Sequence, residues 1–97
     1  MPAGRRFRLN ARISSDRPEL VRPLLEERFE SGSLGEQGDE FVVQAELIGT
    51  DAKELNRELL SSLRKVEKRT RLRARWTDER GTVYSFFDYV LKRTVPP

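Results

Sequence analysis

From Thr70 to Thr77 the chain reads Thr-Arg-Leu-Arg-Ala-Arg-Trp-Thr, with arginine at every second position and an apolar residue between. After Asp78-Glu79-Arg80-Gly81 comes the run Thr82-Val83-Tyr84-Ser85-Phe86-Phe87-Asp88-Tyr89-Val90. Alternation of period two marks a β-strand with one face buried, and a turn cluster between two such runs marks a hairpin. Residues 6–13 alternate in the same way, with Phe7, Leu9, Ala11 and Ile13 on one side and Arg6, Arg8, Asn10 and Arg12 on the other. Strands of this kind need a layer packed on one face and water, or a charged partner, on the other.

Helical signals lie between the strands. Ser14, Ser15 and Asp16 offer capping oxygens before Pro18, and Leu20, Val21, Leu24, Leu25 and Phe29 carry a helical period. Pro23 falls inside that segment, where it removes a backbone donor and crowds the preceding turn, so a late start or a kink is expected. Residues 31–39 hold Gly32, Gly35 and Gly38 and read as a flexible loop with room for a short strand. Glu40 to Ile48 reads as a strand with Phe41, Val43, Ala45 and Leu47 inward. Asp51 and Glu54 have the spacing of a capping box and open a helix expected to reach about Lys68, burying Ala52, Leu55, Leu59, Leu63 and Val66. The tail from about 94 to 97, ending in Pro96 and Pro97, is expected to be disordered.

With 97 residues the chain is expected to form one domain over 1–97. Two amphipathic helices and four or five strands are best accommodated as an α+β two-layer sandwich, with both helices on one face of a mainly antiparallel sheet. The expected topology is ferredoxin-like, βα(β)βαββ. No apolar run approaches the roughly 20 residues that cross a bilayer, so no membrane association is expected. The basic start of the chain has no apolar stretch behind it, and a cytoplasmic location is the default expectation.

If residues 78–81 form an even-numbered turn, Arg75 faces Tyr84, Arg73 faces Phe86 and Arg71 faces Asp88. The uncovered sheet face then gathers Arg6, Arg8, Arg12, Arg71, Arg73 and Arg75 with Tyr84 and Phe86, interrupted by Glu46 and Asp88. Guanidinium groups neutralise phosphate and aromatic rings stack on bases, so this face is expected to bind nucleic acid, single-stranded or structured RNA first. A second basic patch, Arg64, Lys65, Lys68 and Arg69, follows at the end of the second helix. The alternative is an assembly module, with this face making a homodimer or meeting a partner protein. A third reading is a solvated face of weak ion pairs.

Charge is distributed unevenly. Residues 1–15 carry four arginines and no acid, residues 16–60 carry twelve acids against five bases, and residues 61–97 carry ten bases against four acids. The chain has no histidine and no cysteine, which removes histidine-based triads, zinc sites and thiol nucleophiles. There is no phosphate-loop signature and no calcium-loop spacing. No cofactor, no metal and no enzymatic activity are therefore expected, and no catalytic residue is assigned.

Overall fold

The computed structural model of the chain describes residues 4–30 and 32–95. It contains β1 (Arg5–Ser14), α1 (Pro18–Arg28), β2 (Ser33–Gln37), β3 (Glu40–Gly49), α2 (Ala52–Val66), β4 (Arg71–Thr77), β5 (Val83–Phe87) and β6 (Val90–Val95). The six strands form one antiparallel sheet in the order β2-β3-β1-β4-β5-β6. The described residues thus form an α+β arrangement of two helices and a six-stranded sheet, compatible with a two-layer sandwich.

The alternating pattern of β1 sets the layout. Phe7, Leu9 and Ile13 are wholly buried and Ala11 nearly so, while Arg6, Arg8, Asn10 and Arg12 are exposed. Directly opposite β1, Leu9 meets Ala45 and Trp76, Ala11 meets Val43 and Ala74, and Ile13 meets Phe41 and Leu72. Cross-strand partners share a face, so β1, β3 and β4 present one continuous apolar surface. Val21, Leu25 and Phe29 from the first helical segment and Ala52, Leu59, Leu60 and Leu63 from α2 join that surface in a single core cluster. Each large side chain buried there contributes about 1.5–3 kcal/mol of hydrophobic stabilisation.

The helices depart from expectation in their caps and stripes. α1 starts at Pro18 and runs through Pro23, whose missing N–H is the structural cost of a proline that stays on the exposed side. Ser15 does not cap the first turn. Its Oγ accepts from the Arg17 N–H at 3.1 Å and donates to Glu67 Oε1 at 2.8 Å. α2 opens as expected, with Asp51 Oδ1 accepting from the Glu54 N–H at 2.8 Å. Its buried stripe includes Asn56 and Leu60, whereas Val66 is 38% exposed.

Two turns correct the sequence reading of the C-terminal third. In the first, the Asp78 N–H donates to the Thr82 carbonyl and the Gly81 N–H to the Asp78 carbonyl, both at 3.0 Å, leaving Glu79, Arg80 and Gly81 as a three-residue loop. Gly81 holds φ at +87°, the left-handed position this loop requires. Asp78 Oδ1 accepts from the Arg80 and Thr82 N–H groups at 2.9 Å each, and its Oδ2 pairs with Arg5 at 3.0 Å. The odd count shifts the register, so Trp76 faces Tyr84, Ala74 faces Phe86 and Arg73 faces Phe87. The expected pairs Arg75–Tyr84, Arg73–Phe86 and Arg71–Asp88 are therefore replaced, and Tyr84 and Phe86 move to the helix side.

In the second, the aromatic run does not continue as one strand to Val90. Asp88 takes φ +59°, a conformation a short polar side chain tolerates, and Phe87 then pairs with Val90 across a tight turn. The sheet gains β6, which covers Thr94 and Val95 of the expected tail; Pro96 and Pro97 lie outside the described residues. Likewise Ser33–Gln37, within the expected loop, pairs with β3 around a turn at Gly38, φ +63°. Ser31 lies outside the described residues.

A polar chain crosses the core between these parts. Trp76 Nε1 donates to Asn56 Oδ1 at 3.1 Å, and Asn56 Nδ2 donates to the Asp88 carbonyl at 2.7 Å. The Asp88 N–H donates to the Leu72 carbonyl at 2.7 Å while Asp88 Oδ1 accepts from the Leu72 N–H at 2.9 Å. Asn56→Leu would orphan the buried Trp76 indole N–H at about 1–3 kcal/mol and leave the part-buried Asp88 carbonyl without its donor, and Leu63→Ala would open a cavity costing about 2–5 kcal/mol. Urea denaturation should show both losses as lower midpoints at unchanged slope; a Leu63→Ala loss below about 0.5 kcal/mol would contradict the packing of α2.

Candidate nucleic-acid interface

The sheet face turned away from the helices carries side chains from alternate positions of β3, β1, β4 and β5. Four successive cross-strand rows organise it. The first is Glu46–Arg8–Thr77–Val83, the second Gln44–Asn10–Arg75–Ser85, the third Val42–Arg12–Arg73–Phe87, and the last Ser14–Arg71. Arg6, Arg8, Arg12, Arg71, Arg73 and Arg75 are all exposed here, as their alternation requires.

The aromatic half of the expected site is not on this face. Phe86 is only 4% exposed and belongs to the core cluster. Tyr84 packs against that cluster with its ring edge-on to Phe7, centroids 6.4 Å apart at 71°. Phe87 takes their place. The Arg73 guanidinium carbon lies 5.2 Å from the Phe87 ring centroid, a cation–π contact in the middle of the face. Gln44 and Ser85 are the other members the sequence reading did not name; Asn10 and Val42 lie on this face as their alternation requires. The alternation of β1 and β3 contained Asn10, Gln44 and Val42, but the odd loop at Gly81 hid Ser85 and Phe87.

A shallow cavity of about 470 Å³ occupies the centre, bordered by Asn10, Gln44, Ser85 and Phe87 with Arg12, Arg73 and Arg75 around them. Arg12 and Arg73 stand directly opposite each other, an arrangement of like charges that destabilises a bare sheet. Among the described residues one ion pair partly offsets it, Arg12 to Glu40 at 3.5 Å. Glu46 sits opposite Arg8 without an ion pair, and none is formed by Arg6, Arg71, Arg73 or Arg75 among the described residues. Asp88, expected on this face, instead pairs with Arg64 at 3.5 Å.

The second patch divides. The Arg64 Nε donates to the Thr70 carbonyl at 3.0 Å and its guanidinium lies 5.3 Å from the Tyr89 ring centroid, so it braces the turn between α2 and β4. Arg69 pairs with Asp16 at 3.3 Å, while Lys65 and Lys68 are exposed. Arg64, Lys68 and Arg69 share a hollow with Arg71; Lys65 does not line it.

Among the described residues no group of three or more carboxylates is placed to hold a metal ion, and no helix is long and apolar enough to cross a membrane. No family model, curated protein or solved structure matches the chain.

Glu67 ties this end of the sheet together. Its Oε2 accepts from the Arg69 N–H at 3.1 Å, and its Oε1 from Ser15 Oγ at 2.8 Å and the Asp16 N–H at 3.3 Å. The Arg69 backbone donor, then the Ser15 hydroxyl, hold the carboxyl below its ordinary range. A lowered folded value stabilises the fold fully above the unfolded pKa, about 4.3, and the contribution disappears as pH falls through the folded value. Glu67→Gln should therefore lower the melting temperature at neutral pH and narrow its gap to wild type in acid; a gap independent of pH would refute this role.

Proposed function

We propose that this chain is a nucleic-acid-binding module that lays a single strand, RNA in the first place, across the open sheet face. The observation that carries the reading is the uncompensated arginine group around a polar hollow: Arg73 and Arg75 lack carboxylate partners among the described residues, and Arg12 and Arg73 repel until an anion arrives. Arg71, Arg73 and Arg75 recur along β4 at about 6.5–7 Å, a pitch close to that of successive phosphates on an extended strand. The Arg73–Phe87 stack offers a guanidinium plane on which a base can lie, and Asn10, Gln44 and Ser85 supply donors and acceptors beside it.

The finer architectural reading supports this use. We read the first six elements as a split βαβ arrangement of ferredoxin-like type extended by β5 and β6, a reading that the antiparallel order β2-β3-β1-β4 supports. That arrangement leaves one broad face for a partner. A cytoplasmic location, where single-stranded RNA is met, belongs to the same proposal.

A homodimer through this face is the weaker reading. A two-fold interface sets a patch against its own copy, which would press six arginines against six with few carboxylates among the described residues to offset them, Glu40, Glu46 and, beside Arg6 and Arg8, Glu79. Ile48 is 67% exposed and Val90 59%, but they lie at separate margins of that face.

Binding isotherms with a short oligouridylate at several salt concentrations test the proposal. Arg73→Ala and Arg75→Ala should each weaken binding and flatten the salt slope by about 0.7. Phe87→Ala should weaken it by about 1–3 kcal/mol at nearly constant slope. Phe86→Ala should instead reduce stability, by about 3–5 kcal/mol. Absence of saturable binding by the wild type at about 50 mM salt would end the nucleic-acid reading, and a concentration-dependent dimer by sedimentation would then favour self-association.

A further inference from the structure

Where β4 begins, the arginine row does not simply stop. A hollow of about 650 Å³ opens beside Arg71, lined also by Asp16, Arg64, Lys68, Arg69 and Asp88. Four cations face two carboxylates there. Each carboxylate reaches one arginine, Asp16 with Arg69 at 3.3 Å and Asp88 with Arg64 at 3.5 Å. Lys68 and Arg71 have no ion-pair partner among the described residues, so the hollow retains an excess of two positive charges.

The hollow is also held in shape. Arg64 is fixed by the Thr70 carbonyl and the Tyr89 ring as well as by Asp88. The turn that carries Lys68 and Arg69 is closed by the Thr70 N–H and Oγ1, which donate to the Glu67 carbonyl at 3.1 and 2.7 Å. A site with oriented guanidinium groups and two unpaired cations suits a compact dianion, and fork-shaped donors match the oxygens of phosphate.

We propose that this hollow is a phosphate-monoester site that takes the terminal phosphate of the strand lying along β4, and in that form it rests on the nucleic-acid reading of the open face. Arg71 belongs to both surfaces: it is the last position of the row Arg75, Arg73, Arg71 and a wall of the hollow. An internal phosphodiester carries one charge, whereas a terminal monoester carries nearly two near neutral pH, which matches the two unpaired cations.

The test uses the full chain and three oligouridylates of equal length, with a phosphate at the 5′ end, at the 3′ end or at neither, together with inorganic phosphate as a separate probe. One phosphorylated form should bind about tenfold tighter than the unphosphorylated one, the usual worth of a hydrogen bond between charged groups. Lys68→Ala should abolish that preference and leave the affinity for the unphosphorylated oligomer unchanged, since Lys68 is exposed, lies off the arginine row of β4 and makes no hydrogen bond or ion pair among the described residues. Inorganic phosphate should shift the amide resonances of Arg69, Thr70 and Arg71 in wild type and not in Lys68→Ala. Equal affinity for all three oligomers, or a preference that survives Lys68→Ala, overturns the terminal-phosphate site. If no oligomer binds while inorganic phosphate still produces those shifts, the reading of the open face fails and the hollow stands as a site for phosphate alone; if neither produces a change, both fall.

Discussion

Every assignment of a side chain to a face beyond residue 77 turns on the number of residues in the loop that Asp78 closes. An even loop pairs odd-numbered residues with even-numbered ones across an antiparallel hairpin, whereas an odd loop pairs like with like, and here the loop is odd. Asp78 fixes that number with its backbone and its carboxylate together: its main chain brackets Thr82 and Gly81, and its side chain holds the Arg80 and Thr82 amides and the Arg5 guanidinium. The consequence runs through the core. Tyr84 and Phe86 add aromatic area to the packed face, next to Phe7, Ala74 and Trp76, and Phe87 is turned outward under Arg73. A sheet with a thin apolar complement thereby gains two rings for its interior and keeps one for its surface.

The same economy explains the buried amide on α2. Trp76 is the largest fully buried side chain and brings an indole N–H with it, which must find an acceptor away from water. Asn56 supplies the acceptor and hands its own donor to the Asp88 carbonyl. Asp88 can be reached because it leaves the strand at positive φ, and its carboxylate then substitutes for a main-chain acceptor opposite Leu72. One polar chain thus joins helix, central sheet and the β5–β6 turn. Among the described residues no buried side-chain nitrogen or oxygen is left without a partner.

Periodicity made the first half of the fold legible. β1, β3 and β4 follow their alternation, and the capping box at Asp51 marks the start of α2, because each of those signals acts over one strand or one helical turn. What the sequence concealed depends on contacts between distant segments. Asn56 reads as a polar interruption of the α2 stripe until Trp76 is placed above it. Asp88 reads as a strand residue within an aromatic run until Leu72 and Arg64 are seen to hold it in a turn. Gly81 carries the clearest local signal, since a glycine closing a turn favours the three-residue hairpin loop with a left-handed last position, and that loop puts Phe87 on the face and Phe86 off it. The arginines of the candidate site were readable because period two alone decides their side of β1 and β4. Its aromatic member was not, because it lies beyond the loop.

The distribution of charge gives the open face its character more than the small net charge does. The acidic middle of the chain contributes few carboxylates to that face: Glu40 and Glu46 lie there, while Glu54 pairs with Arg57 on α2, and Glu26 and Glu36 both engage Arg22 on the helix side. Acids therefore neutralise the layer that carries the helices, and the sheet keeps its arginines with little internal compensation. Like charges gathered on a low-dielectric platform raise the local potential well above what net charge implies, and on this platform they are arrayed along a strand rather than clustered at a point. A small spherical anion would satisfy one or two of them. An extended polyanion running parallel to β4 would meet Arg75, Arg73 and Arg71 in turn, and the side chains that share a row with Arg75, namely Asn10, Gln44 and Ser85, are uncharged groups able to hydrogen-bond whatever such a chain presents between its phosphates.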